Sequence, residues 1–306
     1  MDALNATDDI SQVVILLEAN PYFWGGRSNG AHSTGPANFT FDRFLEHVLL
    51  FINSLHLLNQ ANRIVVIATG ATSCAYLYDS NAAELSENAR TARVSKKLSV
   101  VEKITQKLED FMSKEAVYDL NQGTEDNRYS LLSGSLSMAL CYIQRILRGP
   151  SPHPLPRILC LQGTPDAPPQ YIAVMNAIFS AQRSLVPIDA CIVGNHHSAF
   201  LQQATHITGG IYMKPPAPEG LFEYLSMVFA TDLYSRKFLQ LPRASGVDFR
   251  ASCFCHKKSI DMGFVCSVCL SIFCKGQRTC TTCNAIFAPS KQPNPAAAAA
   301  QKRKVS

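Results

Sequence analysis

The sequence predicts an α/β fold, a doubly wound and mostly parallel sheet carrying a small zinc-binding module toward its C-terminal end. Two observations predict it. Short continuous apolar runs such as Val13-Val-Ile-Leu-Leu17 and Arg63-Ile-Val-Val-Ile-Ala68 alternate with longer stretches of helical periodicity, the pattern of strands buried on both faces with helices between them. Seven of the eleven cysteines crowd between Cys253 and Cys283, a density that points to a metal framework in a segment too small for its own core.

A chain of 306 residues can hold one large core and one appended module. The expected division is an α/β domain over 1–246, a cysteine-rich module over 247–288 and a basic tail over 289–306. No run is long and apolar enough to span a membrane. The opening Met1 to Asp9 lacks an apolar signal segment, which predicts a reducing compartment, weighs against disulfides and leaves the sequons at Asn5 and Asn38 without meaning. The formal charge of +5 is uneven: from Val247 onward nine Lys or Arg face two Asp or Glu, a local +7, leaving −2 for the rest. A basic end on a near-neutral body suits an acidic partner or nearby nucleic acid. Gln301-Lys-Arg-Lys304 reads either as a solvated tail or as a nuclear import signal.

In chain order, Val13 to Leu17 is the first strand, followed by a Gly, Ser and Asn-rich loop through Asn38. A helix then starts near Thr40, with Phe41, Phe44, Leu45, Val48, Leu49, Ile52 and Leu55 on one stripe. Arg63 to Ala68 is a second strand, and Ala75 to Tyr78 a third, pairing with it as a hairpin across Thr69-Gly-Ala-Thr-Ser73. The stretch 80–124 turns polar and reads as an insertion with an exposed helix over Val100 to Tyr118, its narrow apolar stripe running through Val101, Ile104, Leu108, Phe111 and Met112. Ser130 is placed to cap the next helix, which turns Leu132, Leu136, Ala139, Leu140, Ile143 and Leu147 inward. Then come a strand over Arg157 to Leu161, a helix over Tyr171 to Gln182, a strand over Ile188 to Val193 and a helix over Ser198 to Ile207 closed by Gly209-Gly210. A short strand at Ile211 to Met213 and a helix from Pro218 through Val228 complete the α/β domain.

Within the module, Cys266-Ser-Val-Cys269 and Cys280-Thr-Thr-Cys283 form two knuckles ten residues apart. A two-residue spacer aims both thiolates of a knuckle at one ion, and two knuckles complete the tetrahedron zinc prefers. Four thiolates leave no position for water, so this Zn2+ is structural and supplies folding energy. Cys253, Cys255, His256 and Cys274 lie around the knuckles. They either complete a second site, giving the eight ligands of a RING-like module, or Cys253 and Cys255 pack as small apolar groups beside the first. Cys74, Cys141, Cys160 and Cys191 sit in apolar stretches and read as core, as do Phe254, Phe264 and Phe273 within the module.

Chemistry in such a sheet belongs at the carboxyl ends of its strands. No Gly-x-Gly-x-x-Gly turn follows the first strand, and no phosphate-cradling Gly-x-x-x-x-Gly-Lys motif occurs. Ser73 and Ser198 lack the glycines of a nucleophile elbow, and His196 and His197 read as loop residues. These features predict no enzyme activity and no small-molecule substrate. The strand order resembles von Willebrand factor A (vWA) domains, whose adhesion site needs Asp-x-Ser-x-Ser after the first strand to hold Mg2+. Here Glu18, Asn20 and Tyr22 stand at those positions, and Asp166 is available for a downstream carboxylate. The expectation is a degenerate site without Mg2+, whose loops serve protein contact. Of Tyr22, Phe23 and Trp24, at least one belongs to the core and any exposed one can anchor a partner.

Six stretches together resemble one family, the smaller vWA-plus-zinc subunit of the general transcription and DNA-repair factor TFIIH. They are Ala19-Asn-Pro-Tyr-Phe-Trp-Gly25, Ile188-Asp-Ala-Cys191, Leu201-Gln-Gln-Ala204, Thr208-Gly-Gly210, Phe249-Arg-Ala-Ser-Cys-Phe-Cys-His256 and Gly263-Phe-Val-Cys-Ser-Val-Cys-Leu-Ser-Ile-Phe-Cys274. The resemblance implies a nuclear, non-catalytic scaffold in RNA polymerase II initiation and nucleotide excision repair. It also implies a main partner, the larger vWA-and-zinc subunit that regulates the repair helicase, alongside other core subunits, with DNA contact indirect or weak. The stretch 80–124 and the tail beyond Phe287 look least like family core. Two other classes compete: a RING-like ubiquitin ligase, which needs two zinc ions, and a zinc-dependent nucleic-acid binder, which needs steep salt dependence.

Overall fold

The structure is a computed structural model that describes residues 10–28, 39–81, 95–122, 129–149, 153–242, 247, 249–253, 255–256, 259–269 and 271–287. The segments 29–38 and 82–94, Phe254 and the basic tail lie outside the described residues. The chain divides into two compact units, Met1–Asp248 and Phe249–Ser306.

The first unit is built on β1 (Ser11–Glu18), every residue of which is buried. To one side lies parallel β2 (Arg63–Thr69), which pairs antiparallel with β3 (Cys74–Asp79) at the edge, with a register shift between Val66 and Ile67. To the other side β4 (Leu155–Gln162), β5 (Ile188–Ile192) and β6 (Tyr212–Met213) follow in parallel, giving a six-stranded order of β3-β2-β1-β4-β5-β6. Strand alternation sends Val13, Ile15 and Leu17 to one face and Val14 and Leu16 to the other. The first face receives Phe44, Val48, Phe51, Ile52 and Leu55 of α2 (Phe41–Leu58) and Ile104, Leu108 and Phe111 of α3 (Ser95–Gln122). The second receives α4 (Leu132–Leu147), α5 (Tyr171–Arg183) and α6 (Ala199–Thr208). Helices on both faces make the sheet doubly wound, in the vWA-like manner expected. Thr40 and Ser198 cap α2 and α6, each accepting from the backbone N–H three residues on. Gly209 closes α6 at φ 72°, a conformation a side chain would strain.

Several expectations need correction. The loop expected after β1 begins as a helix, α1 (Pro21–Ser28). Pro21 presets φ at the first turn, Asn20 accepts the Tyr22 N–H at 2.9 Å, and Trp24 is drawn into the core by its stack on Phe44 at 4.9 Å. Helix α3 runs longer than expected and is not a detached insertion. Ile104, Leu108 and Phe111 of its stripe are buried in the core with Val101 and Met112 half-buried, and buried Glu115 accepts from Ala71 N, Thr72 N, Thr72 Oγ1 and Ser73 Oγ in the β2–β3 turn. Ser130 is not a helix cap, because its hydroxyl is given to Glu18. The start of α4 is served from another element, where Gln170 Oε1 accepts from Ser133 N at 3.1 Å. The helix from Pro218 splits into a 3₁₀ turn (Pro218–Gly220), α7 (Leu221–Tyr224) and a π turn (Leu225–Phe229), which brings adjacent Val228 and Phe229 both into the core. Cys160 and Cys191 are buried as expected, but Cys74 is only partly covered and Cys141 is exposed, on the outer face of α4.

At the amino end of the sheet the fold buries a charge network. Asp189 of β5 has no exposed surface and binds Arg236 through two hydrogen bonds while accepting Ile211 N at 2.9 Å. Buried Arg157 of β4 lies 3.8 Å from the same carboxylate and donates to Thr231 O at 3.0 Å. These contacts pin residues 231–236 across the strand starts.

Candidate metal centres and the closed strand-end crevice

In a doubly wound sheet the ligand crevice opens at the carboxyl ends of the two strands where the order reverses. Here those strands are β1 and β4. Glu18, the last residue of β1, is fully buried at this point. One of its carboxyl oxygens accepts from Ser130 Oγ. The other accepts from Gly163 N and Thr164 N, both at 3.1 Å, and from Thr164 Oγ1 at 2.9 Å. Burial raises its pKa above the usual carboxylate value, and the Ser130, Thr164 and Gly163 hydrogen bonds oppose that rise. Asn20 Nδ2 donates to Ser130 Oγ at 3.2 Å, and Tyr22 is half-buried on α1. Asp166 is committed elsewhere, accepting from Ser198 Oγ and from Phe200 N at 3.0 Å at the start of α6. The oxygens of Glu18 and Asp166 thus face protein donors rather than one shared position.

The crevice is also filled sterically. A Cβ on Gly163 would fall 2.3 Å from the Phe23 ring, and one on Gly194 would fall 2.0 Å from Gly163 O. Only glycine permits this approach of two loops. Of the three aromatics, Trp24 is core, its Nε1 donating to Glu18 O at 3.0 Å, and Phe23 packs edge-on against it at 4.8 Å. Trp24 is thus the one of the three that belongs to the core, while Tyr22 and Phe23 are each half-buried.

The second unit carries two short hairpins, β7 (Ala251–Ser252) with β8 (Ser259–Ile260) and β9 (Phe264–Val265) with β10 (Ile272–Phe273). Cys266, Cys269, Cys280 and Cys283 bring their sulfurs within 4.8 Å of one another. Cys266 Sγ lies 3.7 Å from Cys283 Sγ, and Cys269 Sγ lies 3.6 Å from Cys280 Sγ. A tetrahedron with metal–sulfur bonds of about 2.3 Å has edges of about 3.8 Å, so the donor set fits a thiophilic ion. The knuckles are locally scaffolded: Cys266 N donates to Ser271 O at 2.9 Å, and Cys280 N to Ala285 O at 2.8 Å.

Cys253, Cys255, His256 and Cys274 gather in the same way, their donor atoms within 4.8 Å of one another. Cys255 is exposed, so the alternative of small apolar packing does not describe it. Phe273 fills the module's core together with Cys266 and Cys280, but Phe264, its cross-strand neighbour, is 59 % exposed and does not, contrary to expectation. Among the described residues these two are the groups of three or more such side chains that converge.

The profile of the family described as Transcription factor Tfb4 matches residues 10–284. The General transcription and DNA repair factor IIH subunit TFB4 of Arabidopsis thaliana is 52 % identical over 299 residues, covering 97 % of this chain and 96 % of that one. The General transcription factor IIH subunit 3 of Dictyostelium discoideum is 35 % identical over 343 residues, covering 93 % and 90 %. Among solved structures, the TFIIH p34 N-terminal domain aligns with a TM-score of 0.57 at 23 % identity, over 72 % of this chain and 98 % of that one, a likeness of fold.

Proposed function

The chain belongs to the Transcription factor Tfb4 family, and from that membership we propose that it is a non-catalytic scaffold subunit of the TFIIH core, working in the nucleus in RNA polymerase II initiation and nucleotide excision repair. The observation that carries the reading is the extent of the likeness, which runs through both the sheet and the cysteine-rich unit. The closed crevice supports the non-catalytic part. The position where such folds hold a ligand is taken by Glu18, Ser130, Gly163 and Thr164 of the chain itself.

In this reading the vWA-like unit binds the larger vWA-and-zinc subunit through surfaces that do not require Mg2+. The C-terminal unit holds structural Zn2+ through Cys266, Cys269, Cys280 and Cys283. That ion supplies folding energy to a unit whose apolar cluster holds three buried side chains among the described residues.

Capture of the intact tagged chain from nuclear extract, followed by mass spectrometry, tests the assignment. Stoichiometric recovery of the larger subunit and other core subunits, unchanged when magnesium is omitted, is the expected result. Recovery of none of them would overturn it, and so would ATP hydrolysis abolished by one substitution in this chain.

A further inference from the structure

The ligating residues of the C-terminal unit do not fall into two consecutive sets. Along the chain Cys253, Cys255 and His256 come first, then Cys266 and Cys269 of the four-cysteine cluster. Cys274 then returns to the first cluster, and Cys280 and Cys283 complete the second. The β9–β10 hairpin explains how. Its strands run antiparallel, with Ile272 opposite Val265 and Phe273 opposite Phe264. Cys266 directly follows β9 and Cys274 directly follows β10, so the hairpin delivers one ligand to each cluster from opposite ends.

Distances in the first cluster describe a Cys₃His donor set. Cys255 Sγ lies 3.1 Å from His256 Nδ1 and 3.6 Å from Cys274 Sγ, and His256 Nδ1 lies 3.1 Å from Cys274 Sγ. Cys253 Sγ lies 2.9 Å from Cys255 Sγ and 4.0 Å from His256 Nδ1. The backbone N–H of Cys274 donates to Cys253 Sγ at 3.1 Å, the kind of contact that stabilises a metal-bound thiolate from outside its coordination sphere. Three thiolates and one imidazole whose donor atoms all lie within 4.8 Å of one another make a donor set of the kind Zn2+ takes.

The clusters are also joined through packing. Phe273 is 2 % exposed and sits with Cys266 and Cys280, yet it is the residue next to Cys274. Gathering the four cysteines therefore seats the ring that fixes the backbone of a ligand in the other cluster. On the far side of the hairpin, a Cβ on Gly263 would fall 2.7 Å from Ile272 and 2.9 Å from Ile260, so β8 and β10 close over a residue without a side chain.

We propose that Cys253, Cys255, His256 and Cys274 form a second zinc site, and that the β9–β10 hairpin with Phe273 interlocks it with the four-cysteine site so that the two fill cooperatively. The proposal rests on the reading of the four-cysteine cluster as a zinc site. Ordering the hairpin for one ion removes a cost the second ion would otherwise meet, which is positive cooperativity without contact between the ions.

The test uses the full chain, reduced, stripped of metal and titrated with Co2+ and then Zn2+. Cobalt bound by four sulfurs and cobalt bound by three sulfurs and one nitrogen absorb differently, so each site is read separately. The wild-type chain should take two equivalents, with both signals growing in constant ratio from the first addition. Cys274→Ser should hold one equivalent, at a four-cysteine site weakened by roughly 5- to 150-fold. Phe273→Ala, which keeps all eight ligands, should take two equivalents with the signals rising one after the other. A wild-type chain that takes one equivalent, lost in Cys266→Ser and kept in Cys274→Ser, would overturn the second site and leave the first standing. One equivalent lost in Cys274→Ser and kept in Cys266→Ser would overturn the four-cysteine reading. Two equivalents filling in sequence in the wild type, or an unweakened four-cysteine site in Cys274→Ser, would overturn the interlock.

Discussion

Asp189 and Arg236 meet fork to fork, Nη1 to Oδ1 at 2.9 Å and Nη2 to Oδ2 at 2.7 Å, with the carboxylate wholly out of solvent. Arg157 shares this carboxylate at 3.8 Å. Its own pKa is lowered to about 10 by burial, against the opposing pull of Asp189, so it stays cationic at neutral pH. One anion thus serves two buried cations. Removing the anion should cost more than removing either partner.

Asp189→Ala should therefore destabilise the chain by about 3–5 kcal/mol, the usual cost of leaving a buried charge unpaired. Arg236→Ala should cost less, since Asp189 keeps Arg157 and the Ile211 N–H. Urea unfolding of the full chain measures both. Equal losses would show that the two arginines do not share the carboxylate.

Glu18 gives a prediction with a sign. Its carboxyl is held above the ordinary value by burial, so the folded state keeps a proton that the unfolded chain has released between the two values. Stability from this group is complete below the unfolded value and falls as pH rises toward the folded one, by about 1.4 kcal/mol per pH unit within the window. Glu18→Gln, neutral throughout, should gain on the wild type across that window and level off above it. Its amide oxygen can still accept from Gly163 and Thr164. Glu18→Ala cannot, and leaving those N–H groups unmet should cost about 1–3 kcal/mol each. A pH-independent difference between wild type and Glu18→Gln would show that Glu18 does not titrate with a raised value.

The chain has one tryptophan, and Trp24 is stacked on Phe44 and hydrogen-bonded to Glu18 O. Its fluorescence should report unfolding of the sheet unit. It should not respond to chelators. Trp24→Ala should cost about 3–5 kcal/mol.

Chelation of the metal proposed for the cysteine clusters should leave the helical circular dichroism nearly unchanged, because every described regular element after Phe249 is a short strand. The same treatment should abolish protease resistance in that region. Loss of helix on chelation would place the metal in the first unit instead.

The strands were legible because a parallel sheet buried on both faces forces unbroken apolar runs, as in Val13 to Leu17 and Ile64 to Ala68. Contacts between distant residues were not. Nothing local marks Gln170 as the group that serves the start of α4, or Arg236 as the partner of Asp189 47 residues earlier. An aspartate inside an apolar strand was the available signal for the latter. Helix α1 was hidden by its two glycines and the polar stretch behind it, since Trp24 holds it through tertiary contacts that propensity does not record. The knuckles at Cys266 and Cys280 were plain from spacing. The gathering of Cys253, Cys255 and His256 was ambiguous, because a one-residue spacer aims two thiolates apart unless a third segment, here the one carrying Cys274, draws them together.

The stack of Phe23 on Gly163 and of Gly163 on Gly194 bears on how this scaffold can change over generations. An ion at the end of β1 would need small ligands in place of Asn20 and Tyr22, and room beside Gly163 where the Phe23 ring now packs against Trp24. Intermediate steps would lose packing before any ligand was in place. Any side chain at Gly163 or Gly194 would break this packing, so a variant that tolerates change here must still keep the crevice shut, whereas exposed outer positions such as Phe179 are under no such constraint.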